Sequence, residues 1–269
     1  DFETKIVVKK KAPELLRATF LKSSWRGELI VFSGDTDCYQ PLEASYQLTR
    51  QCLEACLEFG NPVGIITKSF LIIRDLDLLK KLDERTRLSV TISIPFADEK
   101  MGRIVEPHAA SISRRFEATQ LLSEAKIETS VNVAPVIPGL NDSDIAKILT
   151  RARDCGVKSA GLTLLRLPGN VKDVFASRIK AAFPLAYQKI LGRIRQVRGG
   201  KLYNAQFGKR FEGEGTYWEN IEHMFDLYCE KLGLNRPGPK KMRAPFKRPI
   251  CQKELAFTDF DNPLYSLHQ

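Results

Sequence analysis

Nowhere in its 269 residues does the chain hold a run of about 18 apolar residues, so no segment qualifies as a membrane-spanning helix. The start, DFETKIVVKKK, has neither the apolar core of a signal peptide nor an initiating Met. It reads as the interior of a longer polypeptide, for which the cytoplasm and no membrane partner are the default expectation. Histidine is scarce: His108, His223 and His268 stand alone, without H-E-x-x-H or H-x-H spacing, which excludes a common mononuclear metal motif. There is no C-x-x-C pair, no G-x-S-x-G elbow, no G-x-G-x-x-G and no G-x-x-x-x-G-K-[ST]. Zinc ribbons, serine hydrolases, dinucleotide-binding folds and P-loop NTPases lose their sequence signals together.

The six cysteines are scattered and have no secretory context, so reduced thiols are expected rather than disulfides. Cys52 and Cys56 lie four apart on one helical face. No third ligand follows at metal spacing, so they read as small core residues.

Charge is present in excess of one sign. The formal net charge is +10, with basic stretches at Tyr187–Lys201 and Arg236–Arg248. Such surfaces fit a polyanion such as nucleic acid, or are simply solvated faces. No motif with interleaved aromatics decides between the two.

Against these absences stands a strong alternation. Apolar strand-like runs begin at Glu28 (ELIVF), Pro62 (PVGIIT), Ser89 (SVTISI), Glu128 (ETSVNVA) and Lys158 (KSAGLTL), roughly 30 residues apart. Helical patterns fill the gaps over Pro41–Phe59, Leu71–Leu82, His108–Ala125 and Asp142–Asp154. Val/Ile-rich strands separated by helices predict βα units on a parallel sheet. Gly60 suits a left-handed helix stop, and Asn141, Asp142 and Ser143 are cap candidates. Five strands are too few for a closed eight-stranded barrel. Polar groups at every strand end favour a partial barrel over an open doubly wound sheet. Residues 1–200 are expected to form this barrel. Residues 201–269 are expected to add an extension, in which a stripe of Ile221, Met224, Phe225, Tyr228 and Leu232 marks a helix packed on the barrel and a basic, Pro-rich tail follows.

The chemistry is expected at the carboxyl ends of the strands. The loop SGDTDCYQPLE, Ser33 to Glu43, offers Asp35 to a ligand and Asp37 to an Asx-turn or to capping the following helix. Lys68, in ITKS, is placed either to hold a carboxylate or phosphate as a point charge or to snorkel at the surface. Ser93 and Asn132 are polar residues within buried strands and need partners, a ligand or a main-chain carbonyl. Glu106 with Arg114 and Arg115 suggests an ion pair joining a loop to its helix.

Taken in order, SGDTDCYQPLE, ITKS with RDLDLL, SVTISIP, EP…RRFEA and APVIPGLND resemble the radical S-adenosylmethionine proteins related to spore photoproduct lyase, within a DNA repair photolyase-like branch. The resemblance runs from Asp1 to about Gly233. It implies a partial (β/α)6 barrel and a 4Fe-4S cluster that cleaves S-adenosylmethionine to a 5′-deoxyadenosyl radical for hydrogen-atom abstraction. A donor such as flavodoxin or ferredoxin would supply the electron. By the same resemblance, Lys68 and Ser93 hold the methionyl carboxylate, Ser33, Gly34 and Asp35 meet the amine, and Asn132 lies near the adenosyl group.

The departure is the cluster loop. No C-x-x-x-C-x-x-C occurs, and Cys52 with Cys56 supplies only a C-x-x-x-C on the wrong helix. The expectation is therefore a barrel lacking its first strand, with cluster ligands upstream of Asp1 and no activity in this piece alone. Two rivals remain: a nucleic-acid-binding barrel that has lost catalysis, and an α/β enzyme acting on a phosphorylated small molecule with Lys68 on the phosphate.

Overall fold

The computed structural model describes residues 6–33, 36–204, 211–237 and 243–248. Five strands, β1 (Ile30–Phe32), β2 (Val63–Thr67), β3 (Leu88–Ser93), β4 (Thr129–Val136) and β5 (Ser159–Leu164), form one parallel sheet in chain order. All four neighbouring pairs are parallel, and β1 and β5 are its two edges among the described residues. Chain order with parallel pairing requires a crossover after each strand, as the alternating pattern predicted.

Register fixes the sheet's two faces. Val63 pairs with Leu88, Ile65 with Val90, and Ile92 with Val131; each is buried. The helices pack on this face: α4 (Leu76–Arg85) and α6 (Ile112–Glu124) on β3, α6 and α7 (Ile145–Asp154) on β4, and, following α8 (Val171–Ala182) and α9 (Tyr187–Gln196) in the chain, α10 (Thr216–Leu232) on β5 and α7. The opposite face carries Val31, Gly64, Ser89, Thr91, Ser93, Ser130, Asn132, Gly161 and Thr163, most of them only half-buried. Val31 there is 48% exposed. Thr91 and Ser130 share a hydroxyl contact of 2.7 Å, and Asn132 donates to Thr163 Oγ1 at 2.9 Å. A sheet apolar on one side and small and polar on the other is half of a barrel wall: core outside, ligand space inside.

The expected helix over Pro41–Phe59 is two helices. Between α2 (Glu43–Tyr46) and α3 (Leu48–Phe59), Gln47 takes φ 51° and breaks the run. The Glu43 carboxylate then accepts from the N–H groups of Thr49 and Arg50 at 3.0 and 3.3 Å, capping α3 from a full turn away. Gly60 ends α3 at φ 64° as expected. The pattern over Leu71–Leu82 likewise splits into a 3-10 turn (Phe70–Asp75) and α4. Asn141 caps no helix. Its buried side chain donates to Pro95 and Pro135 carbonyls and accepts from Ile137 N–H, stapling the loops after β3 and β4.

The sequence reading missed α1 (Ala12–Leu21), although Pro13 at its first turn was a visible start signal. Its Phe20 packs on Phe59, Trp25 and Phe246 with ring centroids 5.1 to 6.0 Å apart. In α10, Ile221 and Phe225 are buried and Met224, Tyr228 and Leu232 pack against the core, so the predicted stripe faces inward.

Candidate functional site

The carboxyl end of β2 is fastened to the loop after β1 by one side chain. Asp37 Oδ1 accepts from Thr67 Oγ1 at 2.6 Å and from Tyr39 N–H at 2.9 Å, while Oδ2 accepts from Lys68 N–H at 2.7 Å. The Tyr39 contact is the expected Asx-turn. The expected cap is not made: α2 has no side-chain cap, and Asp37 serves strand-end geometry instead.

Thr67 is level with Ile92, so Lys68 continues the row occupied by Ser93 and Asn132. Its ammonium pairs with Glu106 Oε1. The other carboxylate oxygen of Glu106 accepts from Arg115 Nη2 at 2.8 Å. Arg115 is buried within the protein and also donates from Nε to Ala110 O at 2.8 Å and from Nη1 to Ser93 O at 3.1 Å. Burial would raise the Glu106 carboxyl, but the charges of Lys68 and Arg115 more than offset it and hold it below its ordinary range. The expected ion pair therefore uses Arg115. Arg114 instead pairs with Glu117 and lies over the Phe70 ring at 3.8 Å.

A cleft of about 650 Å³ opens beside Lys68. Asp37, Tyr39 and Gln40 line it from the loop after β1, and Glu106, Pro107 and His108 line it from the loop after α5 (Glu99–Val105). Ser93 and Asn132 do not line this cleft; they lie in the neighbouring row on the polar face of the sheet. The Ser93 hydroxyl has no hydrogen-bond partner among the described residues, whereas Asn132 is engaged with Thr163. Ser33 is exposed just past β1. Gly34 and Asp35 lie outside the described residues, so the ligand assignment of Asp35 has no structural counterpart here.

A second network, which the sequence did not disclose, braces the cleft wall. Tyr39 donates from its hydroxyl to buried Asp75 at 3.1 Å. Asp75 also accepts from Arg50 at 2.9 Å and from Arg74 at 2.8 Å, and Arg74 reaches Glu43 at 3.0 Å. Burial pushes Asp75 up, yet the hydrogen bonds from Arg74 and Arg50 leave it lowered. Three carboxylates and two guanidiniums thus fix the segment that carries Tyr39 (Glu43, Asp75 and Asp77 with Arg50 and Arg74).

The described residues do not fit an iron–sulfur cluster. No group of three His, Cys, Asp or Glu converges among the described residues. Cys52 and Cys56 are buried in α3, and burial pushes the Cys52 thiol up to about 11 and that of Cys56 well above the ordinary range. Such thiols stay protonated and are poor metal ligands at neutral pH.

Comparison with known proteins agrees with this architecture. An uncharacterised protein of Mycobacterium bovis is 29% identical over 247 residues, 91% of this chain and 69% of its own length. A radical SAM Nalpha-GlyT isomerase of Pseudomonas phage M6 is 28% identical over 126 residues, 46% of this chain and 26% of that protein. Among solved structures, a cysteine-to-serine mutant of spore photoproduct lyase matches 87% of this chain and 70% of that one with a TM-score of 0.55 at 15% identity. A doubly substituted mutant of the lyase, with bound AdoMet and dinucleoside spore photoproduct, gives 0.54 over 85% of this chain and 66% of that one, also at 15% identity. At that identity the likeness is one of fold, an α/β partial barrel. The profile of the Radical SAM superfamily covers residues 7–152, more than half of the sequence, and the chain belongs to that superfamily.

Proposed function

We propose that this chain is the ligand-holding part of a radical S-adenosylmethionine enzyme, with the cluster's thiolates supplied from outside this sequence. The observation that carries the reading is the Lys68 ammonium, held at the carboxyl end of β2 and opening on the cleft. A lysine there acts as a point charge for a carboxylate. The Ser93 hydroxyl, without a hydrogen-bond partner among the described residues, stands at the adjacent strand end and suits the same carboxylate. Ser33, Gly34 and Asp35 would meet the methionyl amine, and Asn132 the adenosyl side. S-adenosylmethionine supplies, in such enzymes, a 5′-deoxyadenosyl radical for hydrogen-atom abstraction, and an electron donor such as flavodoxin or ferredoxin would serve it. The polar, small-residue face of the sheet supports the reading, because it leaves room and hydrogen-bonding groups on the side away from the helices.

The test is calorimetric binding of S-adenosylmethionine to the full-length protein reconstituted with iron and sulfide, wild type against Lys68→Met. Leaving the ligand's carboxylate without its partner in a partly desolvated cleft costs on the order of 2–5 kcal/mol, at least tenfold in affinity. An unchanged dissociation constant overturns the assignment of Lys68.

A further inference from the structure

Lys68, Glu106 and Arg115 form one hydrogen-bonded chain with two positive charges and one negative. Exposure falls steeply along it: the side chain of Lys68 is 34% exposed, that of Glu106 12% and that of Arg115 1%. Arg115 cannot turn away, because Nε and Nη1 are held by the carbonyls of Ala110 and Ser93. Its charge falls on Glu106 and nowhere else among the described carboxylates. Were Arg115 neutral, the Glu106 carboxylate would be matched one to one by Lys68, and the ammonium would reach the cleft already neutralised. Two further charged groups line the cleft: Asp37, whose oxygens accept only from the neutral Thr67 hydroxyl, Tyr39 N–H and main-chain N–H of Lys68, and Arg178; with one charge of each sign they leave the balance set by Lys68, Glu106 and Arg115 unchanged.

We propose that Arg115 is a positioning residue that, through Glu106, sets the charge Lys68 presents to the cleft, leaving one uncompensated positive charge for a singly charged anionic group such as a carboxylate. The identity of that group rests on the reading of Lys68 given above; the charge balance does not. Because Arg115 also holds the Ser93 carbonyl, the same guanidinium couples the ammonium to the end of β3.

A double-substitution cycle on the full-length, iron- and sulfide-reconstituted protein tests this, with S-adenosylmethionine as the probe. Arg115→Met should weaken binding about tenfold or more, as Lys68→Met does. Glu106→Gln removes the competing carboxylate and should keep or tighten binding. The double variant should return to within about threefold of wild type, a rescue that loss of buried packing alone would not give. A double variant as weak as Arg115→Met, or a Glu106→Gln variant weakened tenfold, overturns the proposal. Titration of Lys68, followed by NMR after reductive 13C-methylation, is the readout that needs no ligand. Its pKa should fall in Glu106→Gln and rise in Arg115→Met; equal or absent displacements overturn the charge balance. If Lys68→Met leaves S-adenosylmethionine binding unchanged, the ligand reading fails, and the titration still decides the role of Arg115. Should Arg115→Met not fold, the Glu106→Gln variant alone decides: weaker binding or an unmoved Lys68 titration is against it.

Discussion

Asp37 accepts a hydrogen bond from the main-chain N–H of Lys68 at 2.7 Å, so the loop after β1 and the end of β2 move as one piece. The same carboxylate takes the Thr67 hydroxyl and the Tyr39 N–H, three donors on two oxygens. Hydrogen bonds to a charged acceptor contribute about 1.5–3 kcal/mol each when the alternative is an unsatisfied group. Since the site is only half-buried, Asp37→Ala is expected to cost about 2–3 kcal/mol in all. Native-state hydrogen exchange reads the local effect: the Lys68 amide should lose its protection while the amides of β3 keep theirs. A Lys68 amide that stays protected would remove Asp37 as the fastener.

The thiols of α3 yield a second prediction. Cys52 and Cys56 are 6% and 0% exposed, and burial is the main cause of their raised pKa values. They should react with a thiol reagent only on unfolding, far more slowly than a model thiol with its ordinary pKa of about 8.5. Replacing both with Ala in the full-length protein should lower the melting temperature through lost packing and leave iron content unchanged. Loss of the iron–sulfur absorbance in the double variant would show that they are ligands.

What the sequence disclosed follows from the range of each interaction. Strands β2 to β4 were legible because Val63, Ile65, Val90, Ile92 and Val131 are buried beneath helices and so form apolar runs. The ion pair of Glu106 and Arg115 was legible because its members are nine residues apart. The break at Gln47 was not, since a left-handed non-glycine residue leaves no compositional mark. Glu43 and Asn141 were illegible for another reason. Each satisfies main-chain groups brought near by tertiary structure, so no local spacing announces them. Two cations of the first basic stretch have partners within the protein that no charge pattern announces: Arg198 donates to the Leu165 and Glu212 carbonyls, and Arg193 lies over the Tyr217 ring at 4.2 Å. Those cations serve the protein's own interior.

Acid should unfold this protein through its buried networks. Asp75 and Glu106 both have carboxyls held below their ordinary values of 3.8 and 4.5, against the effect of burial, by Arg74 and Arg50 in one case and by Lys68 and Arg115 in the other. A lowered folded-state pKa means that the unfolded chain binds more protons. The stabilisation is therefore fully present above the ordinary value and is lost as pH falls through the folded value. Asp77, held at about 2 by Arg50, is more than half exposed and adds little after solvent screening. The urea midpoint should be flat between about pH 5 and 7 and fall steeply below about 4.5. Asp75→Asn should be less stable at pH 7 with a shallower acid decline. An unchanged acid slope in that variant would take Asp75 out of the account.

Residues 243–248 clasp the ends of three helices. Arg248 donates to the carbonyls of Phe20, Lys22 and Trp25 at 3.1, 2.6 and 2.6 Å, in and just beyond the last turn of α1. Lys247 N–H reaches Phe59 O at the end of α3 at 2.9 Å, and Arg243 binds Thr86 O at 3.1 Å and Asp83 at 2.7 Å at the end of α4. Cations at helix carboxyl ends satisfy orphan carbonyls and complement the helix dipole. Phe246 anchors the clasp between Phe20 and Phe59 and lies over Gly27, whose φ is 87°. A Cβ at Gly27 would stand 2.5 Å from Phe246 Cβ, so Gly27→Ala must both strain the backbone and displace the ring. Arg248→Ala should cost about 1–3 kcal/mol, because the Phe20 and Trp25 carbonyls lose that donor while the Lys22 carbonyl keeps the Trp25 N–H. Gly27→Ala should cost more than about 1 kcal/mol, and less when Phe246 is already Ala, because only the backbone strain then remains. Urea unfolding of the two single variants and the double gives the coupling. Strict additivity would mean that Phe246 does not rest on Gly27 in solution and that the clasp is open.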